Sequence, residues 1–491
     1  MNRILSGSQF GVRCMLAWAF TAACAAMAAP PNVLFVMADD LRCDLACLGG
    51  PAITPHLDRL AARGVLFERA YCQQAVCNPS RSSLLTGLRP DTLGLWCNSV
   101  HFRELRPLVT TLPLWFKEHG YTTRCVGKIF HNWHTAARGD RRSWSADEFL
   151  HYANHGDDAP QVDGGLPPSL AVVDRRYGKG PLDERRAVPD EAYYDGRVAA
   201  EAIRVLDEVG GGPFFLAVGF WKPHAPFNAP ARYWDLYERD RLPVLDPRRP
   251  TGAPEIAFHQ STEILGPPAA QRPPSDAEAA EMRHGYLAGI SFLDAQVGRL
   301  LAALEAKGLA DDTIVVFASD HGYHMGEHGL WGKTSTFELD ARVPMVIADP
   351  RSGRAARKVR GIVELLDIFP TLVEACDLPM PAGLEGTSLV PVVRGTGDAV
   401  KQEAFTQHPR PAYFDRERDG RPQAMGYSVR TDRIRYTEWR DWASGATLAA
   451  ELYDHATDPN ELVNLASDAT MDGLRADAAR RLAARFPVQR H

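Results

Sequence analysis

Four apolar runs in this chain close on charged or ionisable residues. They read NVLFVMADD at 32–40, PFFLAVGFWKPH at 213–224, TIVVFASDHG at 313–322 and RVPMVIADP at 342–350. Short runs rich in β-branched and aromatic residues predict strands buried on both faces. Helical patterns separate them, as in EAYYDGRVAAEAIRVLDEV and EMRHGYLAGISFLDAQVGRLLAALEAKG. Such alternation predicts an α/β fold with a large, mainly parallel sheet sandwiched by helices. In these folds ligands gather beyond the carboxyl ends of the strands. The polar clusters are therefore expected to meet in one cleft.

The two ends of the chain read differently. Arg3 and Arg13 precede or open an apolar run, Cys14–Met27, with Ala26, Ala28 and Ala29 standing before Pro30. This pattern predicts a signal peptide over residues 1–28 and an exported, periplasmic or secreted protein. No later run is read as crossing a membrane. The catalytic domain is expected over 30–412. After AFTQHPRP the composition shifts, and YFDRERDGRPQ reads as a linker or surface loop. GYSVRTDRIRYTEW alternates like one half-exposed strand, and GLRADAARRLAARF reads as a closing helix. A small α+β subdomain is expected over 413–491. Two long irregular segments, 142–165 and 242–275, are expected to line the cleft.

Charge limits the function further. The formal net charge of −6 offers no global basic field, so no nucleic-acid partner is expected. An anionic substrate would have to meet positive charge concentrated in a pocket. Of nine cysteines, Cys14 and Cys24 leave with the signal, and seven remain. An exported protein permits disulfides whose pairing sequence does not assign, and the odd count allows one cysteine another fate. Oligomeric state is not readable.

Asp39 and Asp40 are adjacent acids at the end of a strand, and adjacent like charges are costly without a cation. A turn with an N-cap is the bland alternative, but Asp320 and His321 end a matching strand. Carboxylates suit a hard ion such as calcium, while His321 keeps zinc or another transition metal open. Lys128 and His131 lie in CVGKIFHNWH, Lys222 and His224 in WKPHAPF, and Lys333 in GEHGLWGKTS. Each alone is more often a surface lysine or a satisfied histidine. Their shared placement beside strand ends suits a tetrahedral anion and proton transfer near neutral pH. Pro79 fits the first turn of a helix, which places Cys77 just before a helix N-terminus that attracts anions.

Cys77-Asn78-Pro79-Ser80-Arg81, followed by LLTGLRP, resembles the sulfatase signature C-x-P-S-R…T-G. The blocks NVLFVMADDLR, GKIFH, FFLAVGFWKPHAPF, SDHGYHMGEHGLWGK, MGYSVRTDRIRYTEW and ELYDHATDPNELVNLA are also similar to sulfatase blocks. GLRPDTLGLW, the step from Lys128 to His131, Asp320-His321 and QHPRP before MGYSVRT resemble the iduronate-2-sulfatase branch. The resemblance implies an alkaline-phosphatase-like sulfatase fold and a sulfated-glycan substrate, with 2-O-sulfated iduronate or hexuronate in glycosaminoglycan fragments. It implies that a separate maturation enzyme oxidises Cys77 to Cα-formylglycine (3-oxoalanine). It further implies one calcium ion per chain, held by Asp39, Asp40, Asp320, His321 and residue 77. Arg81, Lys128 and Lys333 would hold the formylglycine hydrate and the sulfate. His131 and His224 would handle protons, with His224 also touching substrate. Lys222 has a weaker role near the pocket wall, and Arg89 is a candidate for a uronate carboxylate. The competing readings are a phosphate or phosphonate ester hydrolase of the same architecture and a non-catalytic sulfated-glycan-binding protein.

Overall fold

The structure, a computed structural model, describes residues 30–131, 138–149, 183–209, 211–266, 269, 271–353, 356–417 and 420–488. The expected signal peptide and most of the irregular segment 142–165 lie outside the described residues.

Seven strands form the main sheet: β1 (Asn32–Asp39), β2 (Val65–Tyr71), β3 (Thr122–Gly127), β4 (Phe214–Pro223), β5 (Thr313–Ser319), β6 (Arg342–Ala348) and β7 (Arg357–Glu364). Their order is β7-β2-β6-β5-β1-β4-β3. β1 is central and parallel to both neighbours, β4 and β5. β6 runs antiparallel to both β2 and β5. RVPMVIADP is thus a strand, but its acidic end, Asp349, points to the edge opposite the other three. Nothing in an apolar run encodes its direction.

Both faces of β1 are buried, which explains why it reads as a continuous apolar run. Val33, Phe35 and Met37 face one layer, containing helices α2 (Cys77–Thr86), α3 (Leu112–Glu118) and α6 (Ile368–Ala375). Leu34, Val36 and Ala38 face the other, containing α1 (Pro55–Ala61), α4 (Tyr194–Glu208) and α5 (Asp276–Ala306). Each fully buried side chain of Val or Phe size contributes roughly 1.5–3 kcal/mol. α5 is opened by a capping box in which Ser275 and Glu278 satisfy each other's backbone N–H groups. Among the described helices, only α5 is long and apolar enough to cross a membrane by length and composition, contrary to the expectation that no later run is. Tyr286, Ile290, Leu293, Val297 and Leu300 of this helix are buried in the core, which accounts for its apolar character.

A second sheet is an antiparallel meander of β8 (Ala404–Arg410), β9 (Ala424–Arg430), β10 (Ile434–Asp441) and β11 (Thr447–Asp454). Helix α7 (Asp472–Arg485) covers it through Ala478 and Leu482. β8 starts nine residues before the boundary expected at 413. GYSVRTDRIRYTEW forms two strands rather than one, folding back where Thr431 N–H donates to Ile434 C=O at 2.9 Å. This sheet meets the loop after β2 directly. Gln407 N–H donates to Gln73 C=O at 2.8 Å, and Thr406 Oγ1 donates to Cys72 C=O at 2.7 Å. The second sheet therefore abuts the loop that leads into Cys77.

Candidate active site

The carboxyl ends of β1, β3, β4 and β5 deliver the predicted residues to one edge of the sheet. β1 ends at Asp39, Lys128 follows β3, His224 follows β4, and Asp320-His321 follow β5. Cys77 is itself the first residue of α2 rather than the residue before it. It is only 1% exposed. The close approach of β3 and β4 needs glycine. A Cβ on Gly219 would stand 1.8 Å from the Lys128 carbonyl oxygen, and Lys128 N–H donates to the Gly219 carbonyl at 2.8 Å.

Asp40 adopts the left-handed conformation at φ 61°, which Asp tolerates better than most residues. Three hydrogen bonds hold that turn. Asp40 N–H donates to Asp320 Oδ1 at 3.2 Å, Leu41 N–H to Ser319 Oγ at 3.0 Å, and Tyr286 O–H to the Asp40 carbonyl at 2.6 Å. Strands β1 and β5 are thereby tied together where their acids emerge.

Ligand atoms of Asp39, Asp40, Cys77 and His321 all lie within 4.8 Å of one another, and all four residues are buried. His321 Nδ1–H donates to the Gly322 carbonyl at 3.0 Å, so the Nε2 lone pair faces the cluster. Nε2 is 3.4 Å from Cys77 Sγ, 3.5 Å from Asp40 Oδ1 and 3.6 Å from Asp320 Oδ2. Acceptor atoms converging without apolar spacers fit a cation, and the carboxylate majority suits a hard divalent one. Burial, together with Asp39, pushes the Asp40 carboxyl above its ordinary range. A bound cation relieves that repulsion.

Around the acids stand the cations. Arg81 is wholly buried. Its Nε donates to Asp320 Oδ2 at 2.8 Å, Nη1 to the Lys128 carbonyl at 2.5 Å, and Nη2 to the Ala38 carbonyl at 3.0 Å. It thus clamps β1, β3 and the end of β5 to α2. Lys128 Nζ pairs with Asp39 Oδ2 and lies 4.4 Å from the centroid of the Trp221 ring. Lys333 Nζ donates to Asp40 Oδ1 at 2.8 Å. Burial opposes the charge on Lys333, but Asp40 foremost raises its pKa well above the ordinary value. His131 is buried three residues beyond Lys128.

His224 Nδ1–H donates to the Ala225 carbonyl at 2.6 Å, so Nε2 is the atom presented to the site. Burial works against its protonation, but Asp40, Asp39 and Glu263 together overcome it and the pKa is raised. The Cys77 thiol is raised too, which keeps it neutral: burial, then Asp39, push it well above its usual value. Unmodified Cys77 is therefore a neutral buried thiol, poorly suited to act as a thiolate nucleophile.

Residues 31–378 match the family model described as Sulfatase, and residues 326–486 match that of the N-sulphoglucosamine sulphohydrolase C-terminal region. The chain belongs to the sulfatase family. Members of this family hydrolyse sulfate esters, and the fold is that of the family. Iduronate 2-sulfatase of Mus musculus is 32% identical to this sulfatase, covering 90% of this chain and 92% of the relative. The phosphonate monoester hydrolase of Agrobacterium radiobacter superposes with a TM-score of 0.75 at 27% identity, covering 92% of this chain and 95% of that one. A 2-O GAG sulfatase superposes with a TM-score of 0.68 at 22% identity, covering 93% and 92%, a likeness of fold alone.

Two predicted residues of the sulfatase are engaged elsewhere. Arg89, the candidate for a uronate carboxylate, is 4% exposed and forks onto Glu364, with Nη1 to Oε1 at 2.8 Å and Nη2 to Oε2 at 2.7 Å. The bidentate geometry expected for a substrate carboxylate is met by one from the protein itself. Lys222 Nζ donates to the Pro226 carbonyl at 2.8 Å and to Asn228 Oδ1, stapling the loop after β4. The seven described cysteines are free thiols.

Glu263 belongs to the site and was not singled out in the sequence. It lies in a four-residue helix, Thr262–Leu265, within the irregular segment 242–275. Its Oε1 is 3.0 Å from Lys333 Nζ and 3.2 Å from His224 Nε2. Tyr413 O–H donates to Glu263 Oε2 at 2.8 Å. The segment reads as cleft-lining, but no spacing marks this glutamate among its other polar residues.

Proposed function

We propose that this sulfatase is exported and removes the 2-O-sulfate of iduronate or a related hexuronate in glycosaminoglycan fragments. The observation that supports this most is the 32% identity to iduronate 2-sulfatase across 90% of the chain. The reading assigns one calcium ion to Asp39, Asp40, Asp320, His321 and residue 77, where it supplies positive charge against the sulfuryl oxygens. Oxidation of Cys77 by a maturation enzyme and its oxidant would leave the Cα-formylglycine aldehyde, and addition of water to it would supply a geminal-diol nucleophile and, after sulfuryl transfer, an internal exit that a thiol lacks.

The chain's own residues do the rest. Arg81, fixed by Asp320 and two strand carbonyls, orients the first turn of α2 and adds charge beneath residue 77. Lys128 and Lys333, each paired with one of the adjacent aspartates, are placed to turn toward sulfuryl oxygens when an ion takes over those carboxylates, and Lys333 also toward the bridging oxygen beside His224. His224 presents Nε2 beside Lys333 and, when protonated there, is placed to donate to the departing sugar oxygen. His131 is the base for the reverse proton movement.

The test is sulfate release from matured enzyme under matched conditions. The substrates are a 2-O-sulfated uronate disaccharide, a 6-O-sulfated glucosamine, an aryl sulfate and a phosphonate monoester. The reading expects the first to be preferred. Preference for the second or third keeps the sulfatase and overturns the uronate assignment. Preference for the phosphonate supports a second reading, a phosphonate monoester hydrolase, which the TM-score of 0.75 at 27% identity favours.

A further inference from the structure

The Glu263 carboxylate holds the two donors that the leaving group needs. Oε1 accepts from Lys333 Nζ at 3.0 Å and lies 3.2 Å from His224 Nε2. A bridging oxygen of a sulfate ester, poised to take a proton from His224 beside Lys333, must make the same two contacts. Oε1 therefore stands where the ester's sugar oxygen belongs, and substrate has to displace it. The other oxygen, Oε2, has its own anchor in Tyr413 O–H at 2.8 Å. The carboxylate can thus surrender Oε1 without losing its place.

The glutamate is carried by parts of the chain fixed independently of it. Ser261, which precedes its helix, is in the left-handed region at φ 50°, and its Oγ accepts from Trp331 N–H at 2.9 Å. That ties the Glu263 segment to the two-residue strand that leads into Lys333. Arg410 of β8 donates from Nε to the Ile256 carbonyl at 2.9 Å and from Nη2 to the Ala257 carbonyl at 2.7 Å. The segment is thereby held between the catalytic edge and the second sheet, on the leaving side of the centre. Lys333 and His224 hold the Glu263 carboxyl well below its ordinary range despite burial, so it is an anion.

We propose that Glu263 is a specificity-determining residue for the departing sugar. It holds Lys333 and His224 until an ester takes over those donors, and then accepts a hydrogen bond from a hydroxyl of the sugar next to the sulfated carbon. This inference rests on the sulfate-ester reading of the site. Carboxylates are acceptor-only when ionised, which suits a sugar diol and repels a second anion at the same point. The substrate class it selects is a sulfate ester with a free vicinal hydroxyl.

The proposal predicts opposite signs for two ligands. Glu263→Gln keeps the shape and removes the charge. Using matured, metal-loaded enzyme, inorganic sulfate binding is followed by thermal shift. Binding of a desulfated sugar product is followed by calorimetry, taking the product of whichever sugar sulfate the wild type turns over fastest. The variant is expected to bind sulfate several-fold tighter, since no carboxylate competes for the donors. It is expected to bind the sugar product about tenfold more weakly, the scale of a lost charge-assisted hydrogen bond. Glu263→Ala should show the same pair of signs. A merely structural role would weaken both ligands together. Parallel changes, or no change in sulfate affinity, overturn the proposal. Failure of the uronate reading leaves the test intact, because the sugar is chosen by turnover. Failure of the sulfate-ester reading shows separately, as a wild type that does not bind sulfate.

Discussion

His224 is oriented by one hydrogen bond, Nδ1–H to the Ala225 carbonyl, and presents Nε2 beside Lys333. If Nε2 protonates the leaving oxygen, His224→Ala should lower kcat about 10²–10⁴-fold for sugar sulfates. An aryl sulfate, whose leaving group needs less protonation, should lose far less. Equal losses on both would remove His224 from the acid role. Arg81 makes a different prediction. It is a buried guanidinium bound to Asp320 and to carbonyls of Ala38 and Lys128. Arg81→Met leaves the Asp320 carboxylate without its partner, and breaking such a buried pair costs about 3–5 kcal/mol. Denaturant unfolding should show that loss in the midpoint, and an unchanged midpoint would contradict the clamp. At this scale the sequence was legible where residue type, strand end and motif coincided, as at Asp39, Asp40, Asp320 and Cys77. It was not legible where a side chain reaches a partner far along the chain, 70 positions away for Glu263 and 275 for Arg89. Arg89 finds Glu364, and Glu263 finds Lys333, through three-dimensional contacts that no spacing announces.

The strands place the site only because their ends can approach closely. Gly219 on β4 shows this most sharply, since an added Cβ would meet the Lys128 carbonyl at 1.8 Å. Gly219→Ala should destabilise by roughly 1–3 kcal/mol through overpacking and displace Lys128. Calorimetric melting and sulfate release should fall together, whereas wild-type values for both would contradict the close-approach argument. The second sheet depends on charge instead. Glu461 accepts from Arg435 Nε at 2.7 Å and pairs with His455 at 2.9 Å, and Arg435 also reaches Glu338. Burial opposes ionisation of Glu461, but Arg435 and His455 depress its pKa to about 2. A carboxylate depressed in the folded state adds stability above its unfolded value of about 4.3, lost as pH falls through the folded value. Protection of β10 and the segment around Glu461 in hydrogen exchange should therefore weaken between about pH 4 and pH 2. Protection that stays constant over that window would contradict the assignment. The strand runs and the closing helix were readable from their periodicity. The reversal of β6 and the β9–β10 hairpin were not. Direction leaves no mark on a run buried on both faces, and the hairpin's turn at Thr431–Ile434 carries no Gly, Pro or Asn to announce it.

The whole molecule carries a net charge of −6, yet gathers Arg81, Lys128, Lys333 and His224 at one sheet edge. The buried acids among them could hold a cation. Elemental analysis of active protein should find about one calcium per chain, and chelation should lower Tm, because an ion bound only by the native state stabilises it by mass action. Two zinc ions per chain, or a Tm indifferent to chelator, would contradict this donor set. What the centre does nevertheless turns on one residue, since Cys77 as encoded is a neutral buried thiol 3.5 Å from Asp39 Oδ1. The most direct measurement is the mass of the peptide containing residue 77, taken on preparations matured to different extents and compared with their rates of sulfate release. Activity should rise in proportion to the fraction carrying the aldehyde and vanish without it. Full activity from protein whose residue 77 is entirely thiol would contradict it.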